Sequence, residues 1–112
     1  MYVIGLPKTV DNDLPLTDHT PGFGSAAKYI INTLMQLKCD STVYPRGKVT
    51  IVEIMGRHAG WLTAASAIAN LSGFGPDLIY LPEVPFSVEK FKKEVSEIEE
   101  GPMERLKNLK RE

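Results

Sequence analysis

Three short apolar runs, Val3–Leu6, Lys48–Met55 and Leu78–Leu81, punctuate this chain, and each is too short to fold as a helix of its own. They are rich in valine, isoleucine and other residues that fit a pleated surface, so each reads as a strand. Between and after them the apolar residues change period. From Gly22 to Leu37 the positions Ala26, Tyr29, Ile30, Thr33, Leu34 and Leu37 recur at helical spacing, with Thr20 as N-cap and Pro21 in the first turn. Ala59 to Leu71 is an alanine-rich helix whose small side chains suit close packing on a sheet. Ser87 caps a last helix with Val88, Phe91, Val95 and Ile98 in one stripe and Glu89 and Lys93 placed as a favourable pair. Strands alternating with helices predict an α/β fold with a parallel sheet and right-handed crossovers. In such sheets ligands bind beyond the carboxyl ends of the strands.

Each strand is followed at once by a polar or glycine-rich motif, and a parallel sheet would bring several of these ends to one edge, where the motifs can line one pocket. In PKTVDND, after the first, Asp11 and Asp13 are two residues apart; one can hold Mg²⁺ while the other takes a proton from a substrate hydroxyl. Lys8 adds a positive charge for a phosphoryl group and Thr9 a hydroxyl donor. The same Asp-Asn-Asp run is also good turn chemistry, and spacing alone favours that turn. In MGRHAG, Gly56 and Gly60 let the backbone approach a ligand or turn sharply into a helix, and Arg57 is suited to charge on a transferring phosphoryl group. A surface arginine in a strand-to-helix turn would look the same. His58 reads as a structural group and Trp61 as core or interface. In PEVPF, Glu83 is confined between Pro82 and Pro85, which suits an acceptor for sugar hydroxyls as well as it suits a solvent-exposed loop. The segment TDHTPGFGSA, which includes His19, lacks the residue order of a P-loop, so Gly22 and Gly24 read as helix entry and close packing.

Composition narrows the class. At 112 residues the chain can bury one modest core, and its 43% hydrophobic and 24% charged residues are ordinary for a globular protein. A net charge of -1 gives no reason to expect nucleic acid. The basic Arg105, Lys107, Lys110 and Arg111 are interleaved with Glu104 and Glu112, which reads as a solvated face. The single cysteine, Cys39, points to a reducing compartment, and with no long apolar run or signal peptide visible the expected location is cytoplasmic, away from membranes.

In order, GLPKTVDNDL, TDHTPGFGSA, VTIVEIMGRHAGWLTAASAIA and DLIYLPEVPF resemble the phosphofructokinase family, and within it the pyrophosphate-dependent branch. The resemblance runs from about Tyr2 to about Val95 and fades beyond about Glu97, where EEGPMERLKNLKRE looks like a helical or frayed tail. It implies a three-layer, Rossmann-like parallel sheet with flanking helices, here an incomplete, central piece. Residues 1–21 would end a first lobe and carry the catalytic loop, while 22–112 would supply a connecting helix and part of a second, sugar-phosphate-binding lobe.

The implied chemistry is phosphoryl transfer to the 1-hydroxyl of fructose 6-phosphate, with Mg²⁺ as cofactor. Asp11 matches the family's catalytic base, Asp13 the residue associated with Mg²⁺, and Thr9 a contact at the reacting end. Met55, Gly56 and Arg57 match the sugar-phosphate-binding motif, Arg57 also facing the transferring group, and Glu83 matches the acceptor for fructose hydroxyls. Lys8 stands where ATP-using members commonly have glycine; a long cation there fills nucleotide space and favours a compact anion such as pyrophosphate. The family's N-terminal glycine-rich donor site and its later histidine and arginines are absent. Lys48 replaces an arginine that often reaches a neighbouring subunit's substrate phosphate, which gives up the bidentate fork. The expectation is therefore a phosphotransferase segment active in a full-length homo-oligomer and inactive alone. The alternatives are an ATP-dependent phosphofructokinase, a non-catalytic truncated module that binds sugar phosphate or associates with intact subunits, and, least favoured, a stand-alone Mg²⁺-dependent phosphoesterase.

Overall fold

The computed structural model describes residues 1–43 and 48–109. Its longest packed element is α1, Phe23–Thr42. The helix forms where apolar spacing predicts it, but its buried line is Ala27 and Leu34, with Ile30 and Ile31 half-buried, while Tyr29 stands largely in solvent. The expected stripe is thus rotated by one residue. Its start differs too. Gly22 is the N-cap, no side chain caps the helix, and Thr20 contributes its carbonyl, which accepts the Phe23 N–H at 3.1 Å. The Thr20 amide donates to Asn12, and the threonine hydroxyl caps nothing, because the helix opens at Gly22, two residues further on.

The alanine-rich stretch forms one short helix, α2, Trp61–Ala65, which tightens into a 3₁₀ segment at Ser66–Ser72. Ser66 and Ser72 each donate a hydroxyl to the carbonyl three residues back, at 2.5 and 2.7 Å. Hydroxyls that bond back to the preceding turn compete with the α-helical ladder and fit the tighter winding. α1 packs on both pieces, and Ala27, Leu34, Leu62 and Ala69 make the buried apolar core. The Lys38–Asp77 ion pair, 2.5 Å long, ties the far end of α1 to the loop beyond.

α3 spans Val88–Leu109 and begins as expected, the Ser87 hydroxyl accepting the Lys90 N–H at 3.3 Å. Glu89 accepts the Ser87 hydroxyl, and the helix-spaced ion pairs are Lys90–Glu94 and Lys93–Glu97 in place of the expected Glu89–Lys93. The charged run from Glu104 to Glu112 lies outside the described side chains. α3 touches no other described helix. It is held to the Leu78–Leu81 segment by Tyr80, whose ring meets Phe86 and Phe91 edge-on at 5.2 and 5.9 Å. Its hydroxyl donates to Glu94 at 2.5 Å.

Among the described residues there is no strand. The three apolar runs predicted as a parallel sheet are present as non-helical chain, but none has another beside it to accept and donate ladder bonds. Val3, Ile4 and Ile51 are each more than three-quarters exposed. The chain extends 79 Å in its longest dimension, and its radius of gyration is 18.6 Å against about 13 Å for a compact domain of this length. No described helix is long and apolar enough to cross a membrane.

Candidate functional site

The loop that carries Lys8, Thr9, Asp11 and Asp13 is shaped by Asn12. Asn12 is buried in the left-handed region, φ +59°, and its side chain donates to the Asp18 carbonyl at 3.1 Å and accepts the Thr20 amide at 2.8 Å. Asparagine tolerates this conformation, and its amide can stand in for a backbone turn. Thr9 is half-buried, and its hydroxyl accepts the Asp11 N–H at 3.0 Å. One carboxylate oxygen of Asp11 is buried without a hydrogen-bond partner, as is the Thr20 hydroxyl. Asp13 and Lys8 are exposed. Spacing did not single out Asn12; an asparagine between two aspartates in a turn-forming run was the available signal.

In the second motif Gly56 has φ +138°, and a Cβ there would lie 2.4 Å from the Ala59 carbonyl oxygen. Only glycine makes this turn. Met55, Arg57 and His58 are exposed, so the turn presents them outward. Gly60 is constrained differently, since a Cβ would meet Glu83 Oε2 at 2.6 Å and Pro82 Cδ at 2.9 Å. Its missing side chain lets the third motif close on the second: the Gly60 N–H donates to Glu83 Oε1 at 2.7 Å. A carboxylate on a backbone amide is a strong hydrogen bond, and it fixes the glutamate's rotamer while leaving its other lone pairs available.

The first motif meets this pair through Trp61. An open groove of about 450 Å³ is lined by Asn12, Leu14, Asp18, His19, Phe23 and Trp61. His19 and Phe23 stack at 5.9 Å along it. Trp61 is therefore a groove-lining, half-exposed residue, which fits its reading as interface better than core. The groove thus brings Asn12 of the first motif to Trp61, the residue after Gly60, and the Gly60 amide in turn holds Glu83. The side chains of Lys8, Met55 and Arg57 project into solvent and are not gathered with them.

Among the described residues no cluster of three or more histidine, cysteine or acidic side chains could hold a metal. Mg²⁺ does not require one. It is commonly bound through one or two carboxylates together with substrate phosphates, and the exposed Asp13 carboxylate offers a donor of that kind.

The model of the family described as Phosphofructokinase matches residues 1–108, which carry all three of these loops, and the chain belongs to that family. Among curated relatives it is 48% identical over 89 residues to a pyrophosphate–fructose 6-phosphate 1-phosphotransferase of Halomonas elongata, covering 77% of this chain and 21% of the relative. It is also 48% identical over 90 residues to a sulfofructose kinase of Alkalicoccus urumqiensis, covering 80% of this chain and 24% of that one. A crystal structure of a pyrophosphate-dependent phosphofructokinase from Marinobacter aquaeolei superposes with a TM-score of 0.72 at 51% identity, over 81% of this chain and 24% of the other. The fold is accordingly phosphofructokinase-type. This chain spans about a fifth to a quarter of the length of the relatives it matches.

Proposed function

We propose that these residues serve phosphoryl transfer from pyrophosphate to the 1-hydroxyl of fructose 6-phosphate, giving fructose 1,6-bisphosphate and inorganic phosphate. The remaining donor- and phosphate-binding groups would be supplied from outside the 112 residues, within a homo-oligomer whose parallel sheet includes the three apolar runs. The observation that carries this reading is the family's motif order together with the Gly60–Glu83 bond, which joins two of the three motif loops.

In this reading the Asp11 carboxylate takes the proton as the substrate oxygen attacks the phosphorus and the bond to the leaving phosphate breaks. Thr9 holds the Asp11 backbone by its hydroxyl. Met55, Gly56 and Arg57 bind the sugar phosphate, Arg57 also stabilising charge on the transferring group, and Glu83 accepts fructose hydroxyls with the oxygen not given to Gly60. Lys8 meets pyrophosphate and disfavours a nucleotide. Mg²⁺, held through Asp13 and phosphate oxygens, would neutralise charge on the donor. Residues 1–21 would belong to one lobe and 22–112 to the next.

A coupled assay with fructose 6-phosphate and Mg²⁺, offering pyrophosphate in one sample and ATP in the other, tests the donor. Turnover is expected with pyrophosphate alone in the full-length context; ATP as the better donor would remove Lys8 from its role. In the same context Asp11→Ser is expected to lower kcat by at least about a hundredfold, the usual contribution of a positioned base, with little change in sugar-phosphate binding. Equal loss of binding and rate would take the base role away from Asp11.

A further inference from the structure

Asn12 stands between the two carboxylates to which this chemistry is assigned. In extended chain, residues two apart project from the same face, and Asp11 and Asp13 would lie side by side as like charges. The left-handed residue between them changes that: one Asp11 oxygen is buried, and Asp13 lies in solvent. A positive φ is costly for most side chains and less so for asparagine. Here the conformation is held by the two hydrogen bonds that Asn12 makes across the loop, to the Asp18 carbonyl and from the Thr20 amide.

From this geometry we infer that Asn12 is a positioning residue: by holding position 12 left-handed it turns Asp11 inward and Asp13 outward, so that the two carboxylates serve separate partners. The catalytic part of this inference rests on the assignment of the base to Asp11. Its structural part does not.

The structural part is read on the 112-residue chain by carbodiimide-driven amidation of carboxylates, followed by peptide mass spectrometry, with circular dichroism to report the helices. Asp13 is expected to label several-fold faster than Asp11. Asn12→Ala removes both hydrogen bonds and the left-handed preference, and should collapse that difference while the helical signal persists. A difference unchanged in Asn12→Ala, or equal labelling in the wild type, overturns the inference. Should Asn12→Ala lose its helical signal, Asn12→Asp decides, because it retains an acceptor for Thr20 and loses the donor to Asp18; a reduced difference supports the inference and an unchanged one overturns it. In the full-length enzyme Asn12→Ala should lower kcat several-fold with KM little changed, which a merely structural loop would not produce. If Asp11→Ser leaves turnover intact, the base assignment falls while the labelling result stands.

Discussion

Two residues in the site region carry opposite kinds of local constraint. Leu16 is left-handed at φ +58° with its side chain wholly in solvent, so it bears the conformational cost and buries nothing in return. Leu16→Gly should raise the midpoint of urea unfolding, corresponding to a gain of up to about 1 kcal/mol, the backbone relief being partly offset by the greater freedom of an unfolded glycine. A lower midpoint would mean that the leucine is covered by something. Gly60 is limited by space, its backbone being ordinary. Gly60→Ala should break the bond to Glu83 and destabilise by about 1–3 kcal/mol, the cost of a lost charge-assisted hydrogen bond. An unaltered Glu83 carboxyl signal by NMR in that variant would contradict the contact.

At the scale of elements, α3 depends on few anchors, and Tyr80 is the one with a measurable signature. Its hydrogen bond to Glu94, followed by desolvation and the nearby negative charge, pushes its pKa from the ordinary 10.0 up to about 12. The proton is thus bound more tightly in the folded chain than in the unfolded one. The contact helps folding fully below pH 10 and is lost as pH rises through about 12. In an absorbance titration Tyr80 should ionise well above the ordinary tyrosine value of 10.0, and Glu94→Ala should bring its ionisation back down. An ionisation of Tyr80 that Glu94→Ala leaves unchanged would mean that α3 is not docked through this hydrogen bond. Ser87 and the order of the helices were legible in the sequence, because capping and helical spacing are local. The one-residue rotation of α1's buried face was not, since it depends on where α2 and the 3₁₀ segment lie.

For the whole molecule, exposed area is the dominant quantity. The accessible surface is 9572 Å², whereas a folded monomer of 12.4 kDa exposes about 6,100 Å². Part of the exposed surface is apolar side chain on the runs 3–6 and 49–55, which form no strand ladder among the described residues. Such edges invite pairing with another chain. The 112-residue chain is therefore expected to self-associate, by light scattering, at micromolar concentration, and Ile51→Lys should reduce the association. A sharp monomer across the concentration range would contradict this.

Along the chain, the sequence by itself determined the order of the helical segments, the cap at Ser87, the glycine needed at Gly56 and the three motifs that place the chain in its family, all of which depend on residues within a few positions of one another. Tertiary structure decided the rest. It set which face of α1 is buried, gave the Thr20 amide to Asn12, and brought Glu83 onto the amide of Gly60, 23 residues away. Among the described residues it also formed no strand ladder between the three apolar runs, because a strand's hydrogen bonds lie outside itself and no pattern within the segment supplies the neighbour.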